Sequence, residues 1–285
     1  MMKPLKEHIL EGLLDIEDNI NYDISKDVIE EFLKENYDIK RSYTIKETKN
    51  GFVIDVKGNV KVKNKNITSL TNGLFEFGVV SREFNCNYCR SLTSLKGAPK
   101  KVGGYFYCNY CSSLTSLEGA PKEVGGDFYC SCCNSLKSLE GAPKKIDGSF
   151  NCTYCNNLIS LEGVPEKFDW SFNCSYCNNL ISLKGAPKNV GGFFKCNFCD
   201  SLTSLKGAPQ KCHTFECYSC KALTTLEGAP EEVEQSFYCH YCKLLTSLEG
   251  APKKVGRDFY CTGCGTQFTK DDVIKYTTVA KSIYV

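Results

Sequence analysis

Residues 106–126 read FYCNYCSSLTSLEGAPKEVGG, and this stretch decides the fold because it recurs. The first cysteine of each C-x-x-C pair falls at 86, 108, 130, 152, 174, 196, 217, 239 and 261, so successive gaps are 22 residues with one of 21. Eight complete copies run from about Phe84 to Asp258, and a ninth stops at Cys264. Recurrence at a fixed period of about 20–50 residues signals stacked coils, each burying against its neighbours a face that it cannot bury alone. The expected fold is therefore a repeat solenoid.

Within one unit, Phe-x-Cys has the alternation of a short strand, with Phe and Cys turned one way and the residue between them the other. Gly-Ala-Pro and Gly-Gly supply turn chemistry, so each coil folds back twice. No window carries the i, i+3, i+4, i+7 stripe of a helix. Short parallel strands and turns with few helices are expected, and nine coils about 4.8 Å apart would make a row roughly 45 Å long. The segment Phe-Tyr-Cys-x-x-Cys-x-Ser-Leu resembles the leucine-rich repeat core, L-x-L-x-x-N/C-x-(x)-L, at a period inside that family's range. Phe and the first Cys match its two strand leucines, and the second Cys matches its ladder Asn/Cys. CSSLTSLEGAP, residues 111–121, is also similar to the cysteine-containing, BspA-like bacterial variant. The resemblance implies a leucine-rich-repeat-like solenoid. The chain departs from it on the convex side, where it carries only G-A-P-K-x-V-G-G.

Nine C-x-x-C pairs invite two readings. A zinc array would need four ligands per site, often from two knuckles. Nine pairs cannot be matched two by two, and the residue after the second Cys is Gly only at Gly265. Cys261 and Cys264 are therefore the best single metal candidates. The packing reading treats thiols as small buried hydrophobes. It draws support from the apolar column after Ala-Pro, which runs Val102, Val124, Ile146, Phe168, Val190, Cys212, Val233, Val255, so that one cysteine substitutes for valine. It makes a structural ladder of Cys86, Cys89, Cys108, Cys111, Cys130, Cys133, Cys152, Cys155, Cys174, Cys177, Cys196, Cys199, Cys217, Cys220, Cys239, Cys242, Cys261 and Cys264, and it implies no cofactor.

If Phe and both cysteines face inward, two columns face out. One holds Asn85, Tyr107, Tyr129, Asn151, Asn173, Lys195, Glu216, Tyr238 and Tyr260; the other holds Tyr88, Tyr110, Cys132, Tyr154, Tyr176, Phe198, Ser219, Tyr241 and Gly263. Tyr and Asn suit adaptable recognition surfaces, since Tyr gives rigid amphipathic area at low entropic cost. The aromatic members of these columns are the candidate partner-binding residues. Strand propensity alone also favours Tyr, so a purely covering role competes. Bases can stack on tyrosines too, but lysine and glutamate are mixed within single columns and the net charge is only +2. A protein partner is expected, not nucleic acid. No catalytic constellation recurs, so no enzyme activity is expected.

The ends read differently. Residues 1–40 suggest a helical segment with helices at about Leu5–Leu14 and Lys26–Asn36. Residues 41–66 alternate around Asn50-Gly51 as a hairpin lidding the first coil. The solenoid then spans 67–264, and 265–285 form a C-terminal cap. In that cap Thr269 opens a helix to about Ala280, with Phe268 and Ile274 as lids. Uncovered edge strands at either end would favour self-association. The start, MMKPLKEHILEG, resembles leaders of proteins packaged into tailed-phage heads, which are cut after Glu in (I/L)-x-E. That implies cleavage between Glu11 and Gly12 and a place inside the virion. No run of about 18 apolar residues or export signal appears, so no membrane partner and a reducing cytoplasm are the expectations.

Overall fold

The computed structural model describes residues 24–285. The helix expected over Leu5–Leu14 and the Glu11–Gly12 motif lie outside these residues. The chain winds into a parallel β-solenoid of about 11 turns with two short helices among the described residues. Most coils contribute two very short strands, such as Lys101–Val102 and Phe106–Tyr107, and in two coils one continuous strand, Asn189–Lys195 or Lys211–Glu216, serves both positions. Two parallel ladders result.

In the first ladder Phe84 pairs with Phe106, Phe106 with Phe128, and the same register continues through Phe259 to Ile283. Successive rings from Phe84 to Phe259 stack inside the solenoid with centroids 5.1–5.6 Å apart. Every Phe of this column is fully buried, and burying one such side chain contributes about 1.5–3 kcal/mol. Leu92, Leu95 and their equivalents fill the other side of the core.

The second ladder follows the valine column from Val80 to Ile146 and from Phe168 through Cys212 to Val279. Ile146 and Phe168 do not pair among the described residues. Phe168 brings a ring into a column of aliphatic side chains, and it packs edge-on against Phe150 and Phe172 at 6.0 and 5.7 Å.

At the N-terminal side, helix α1 (Lys26–Asn36) is capped by the Ser25 hydroxyl and buries Ile29, Phe32 and Leu33. Strands β1 (Tyr37–Thr48) and β2 (Gly51–Val62) form the antiparallel hairpin expected at Asn50-Gly51. β1 begins at Tyr37, before the residue-41 boundary read from sequence. β2 is more than a lid, because its Val56 aligns with Val80 of the second ladder and its Val60 with Phe84 of the first. It is the first rung of both ladders, and β1 covers its outer edge.

At the other end α2 (Lys270–Ile274) starts at Thr269 as expected, and Asp272 completes a capping box with it. It stops well short of Ala280. Thr278–Val279 and Ser282–Tyr284 instead pair with Lys254–Val255 and Asp258–Tyr260, and the chain resumes both ladders. The β-branched run Thr277-Thr278-Val279 favours this outcome. Phe268 is buried as expected of a lid, but Ile274 is exposed and its neighbour Val273 takes the buried position. No helix among the described residues is long and apolar enough to cross a membrane.

Candidate functional site

The paired cysteines lie inside the coils. Cys86 through Cys242 of the ladder are fully buried, Cys261 is 1 % exposed and Cys264 is half-buried. All 20 thiols are free. From the second pair onward, the second thiol donates to the carbonyl of the first cysteine one coil back: Cys111 to Cys86, Cys133 to Cys108, and so on to Cys264 on Cys239, at 3.1–3.4 Å. The chain leaves its strand at that first cysteine, so its carbonyl needs a donor from outside the ladder. The thiol supplies one while remaining small and apolar enough for the core. Burial pushes the Cys89, Cys212 and Cys242 thiols up to about 12. Among the described residues no three His, Cys, Asp or Glu side chains group so as to hold a metal ion.

The spacing of those cysteines shapes the outer face. Phe and the first Cys alternate as in a strand, but the second Cys follows three residues later and by parity should point outward. The chain restores parity by leaving the β region at the residue just before it. Tyr88, Tyr110, Cys132, Tyr154, Tyr176, Phe198, Ser219 and Tyr241 all have φ between 55° and 65°. Gly263 takes the same conformation in the last C-x-x-C coil. This left-handed turn swings the aromatic rings to the surface and returns the second Cys to the core. The interval of three between inward residues was the sequence signal for it.

The rings then stack along the solenoid. Tyr88 lies on Tyr110 at 4.7 Å, and Tyr154, Tyr176 and Phe198 follow one another at 4.4 and 4.5 Å, all within 8° of parallel. Tyr88, Tyr110, Tyr154 and Tyr241 remain 43–54 % exposed. In the other column, Tyr107 stacks on Tyr129 at 5.1 Å and Tyr238 on Tyr260 at 4.5 Å, each half-buried. The Tyr129 hydroxyl donates to Asp127 at 2.6 Å. Between these pairs the column is polar, with Lys195 bridging Glu216 at 3.1 Å.

The asparagines serve the scaffold. Asn85, Asn151 and Asn173 each accept, through Oδ1, the backbone N–H two residues on, which holds the chain where the strand ends. A third column, Asn87, Asn109, Ser131, Thr153, Ser175, Asn197, Tyr218, His240, lies between the other two. Asn87 and Asn109 accept N–H groups of the next coil at 2.7 and 2.8 Å. The outward face is therefore a tyrosine surface on a polar base whose asparagines bond largely to the backbone. On other faces lysines meet acids of the adjacent coil, as in Lys101–Glu123 and Lys211–Glu234 at 2.7 and 2.9 Å, which leaves no single-sign stripe there. No family model matches the chain, and no curated protein and no solved structure matches it.

Proposed function

We propose that this chain is a non-enzymatic scaffold that binds a protein partner through the tyrosines on the outer face of its C-x-x-C turns. One observation carries the reading: bulky aromatic residues occupy a backbone position that disfavours them. A left-handed φ costs a side-chain-bearing residue about 1–2 kcal/mol, whereas Gly adopts it freely. Folding alone would favour Gly or Asn there, and Gly263 is the chain's own example. Aromatic stacking returns about 0.5–1.5 kcal/mol per pair. Tyr241, with Ser219 before it and Gly263 after it in the column, has no stacked partner there, meets only His240 edge-on at 5.1 Å and is 54 % exposed. Stacking within the column does not offset the cost of its left-handed turn.

The leucine-rich-repeat resemblance is consistent with this role and rests on the Phe-x-Cys strand and the donor at the second-Cys position. The test is a double variant, Tyr154→Ala with Tyr176→Ala, compared with wild type in affinity capture and by hydrogen exchange on the captured complex. Loss of the partner with unchanged circular dichroism and melting supports the reading. Capture that survives, or a variant that unfolds, would make the rings structural cover.

A further inference from the structure

The exposed stack has one gap that the protein leaves open. Between Tyr110 and Tyr154 the column holds Cys132, whose thiol meets the Tyr110 hydroxyl, so the stack is one ring short there. The resulting cleft has a volume of about 420 Å³ and is lined by Arg90, Tyr110, Cys132, Asn134, Tyr154 and Asn156 among others. A second gap occurs at Ser219 and is treated differently. There the neighbouring column supplies Tyr218, which meets Phe198 edge-on at 5.5 Å and stacks on His240 at 4.6 Å, and His240 meets Tyr241 at 5.1 Å. Beside Cys132 that column holds only Ser131 and Thr153, whose hydroxyls bond each other at 2.9 Å. One break in the stack is filled from within and the other is not.

We infer that the Cys132 cleft is an insertion slot for one aromatic side chain of the protein partner, a tyrosine or tryptophan, which stacks between Tyr110 and Tyr154. This deepens the scaffold reading and rests on it. Two coil steps separate the walls by about 9.5 Å, and a planar group in contact with both needs about 7–8 Å. A guest ring would sit as Tyr176 sits between Tyr154 and Phe198. The polar lining adds a preference. Asn156 Oδ1 is buried at the cleft and has no hydrogen-bond partner among the described residues, so a ring bearing an O–H or N–H donor suits the slot better than phenylalanine. Arg90 at the wall contributes a cation that stacks favourably on aromatic faces.

The test uses the full chain and N-acetyl-tyrosinamide as probe, followed by NMR shifts of ring-labelled tyrosines. Wild type and Cys132→Ala should bind it with a Kd in the millimolar range, about the reach of a single small group, and the shifts should centre on Tyr110 and Tyr154. Cys132→Tyr should weaken binding at least tenfold, because it completes the stack. That side chain enters a φ of 59° that Tyr154 also adopts, so the fold has a precedent for it. Tyr110→Gly removes one wall instead and should weaken binding similarly. N-acetyl-phenylalaninamide should bind more weakly than the tyrosine probe. Equal binding by Cys132→Tyr, shifts centred elsewhere, or tighter binding of N-acetyl-argininamide or adenosine would overturn the slot. If the probe fails while Tyr154→Ala with Tyr176→Ala still abolishes partner capture, only the slot falls. If the probe binds and capture is unaffected, the scaffold reading falls.

Discussion

At Tyr241 the backbone φ is 59° and the ring lies across Gly263, close enough that a Cβ on that glycine would meet the ring at 2.6 Å. The strain and the ring can be separated by substitution. Tyr241→Ala removes the ring and keeps a Cβ at positive φ, whereas Tyr241→Gly removes both. The glycine variant should be the more stable of the two by about 1 kcal/mol, read as a higher urea midpoint. Equal midpoints would mean that the turn imposes no strain, and the argument from disfavoured aromatics would lose its basis. Cysteine follows the same residue-level logic in the core. Among small side chains it alone combines an apolar body with a donor for the carbonyl one coil back. This explains why the second-Cys position is constant while the valine column tolerates Val, Ile, Phe and Cys.

At the scale of the element, the coil is set by two turns of different kinds. The Gly-Ala-Pro turn needs glycine for conformation and for space. Gly119 has φ 86°, and a Cβ there would stand 2.4 Å from the Lys96 backbone nitrogen. Gly51, in the β1–β2 hairpin, has φ 105° with nothing within 4 Å of a Cβ. Gly51→Ala should therefore cost only conformational strain, about 1–2 kcal/mol. Gly119→Ala should cost about 2–4 kcal/mol, since backbone of the coil below must also move. Thermal melts of the two variants side by side give the difference, and similar losses would place no steric contact at Gly119. These elements differ in how openly the sequence announced them. The period, the Asn50-Gly51 hairpin, helix α1 and the Thr269 cap are local chemistry and were legible. The length of α2 was not, because Val279 and Ile283 join ladders whose other members lie more than twenty residues earlier. The tyrosine face was legible as columns, but its left-handed backbone is signalled only by the break in strand parity between the two cysteines. The structural use of Asn85, Asn151 and Asn173 depends on side-chain bonds that composition does not reveal.

Across the whole molecule, coils touch mainly their neighbours, and the paired thiols of the nine C-x-x-C coils form a buried row from Cys86 to Cys261. That row makes stability sensitive to alkaline pH. Burial holds Cys89, Cys212, Cys242 and Cys261 up to about 12, whereas an unfolded thiol ionises at about 8.5. Between those values the unfolded chain binds fewer protons than the folded one, so stability falls as pH rises. Below about pH 8 the thiols are protonated in both states and contribute no slope. Above about pH 9 each such thiol removes about 1.4 kcal/mol per pH unit, so these four alone remove about 5 kcal/mol per unit. Total stability of about 5–15 kcal/mol would then be exhausted by about pH 10–12, and sooner with the other thiols that burial raises, such as Cys196 and Cys217, included. Urea midpoints should be level from pH 6 to 8 and fall steeply above pH 9. Thiol titration under native conditions should reach only the half-buried Cys132 and Cys264, with the others reacting once the chain unfolds. Constant midpoints through pH 10, together with full thiol reactivity in the folded state, would mean that the row is open to solvent and that the core is not built on cysteine.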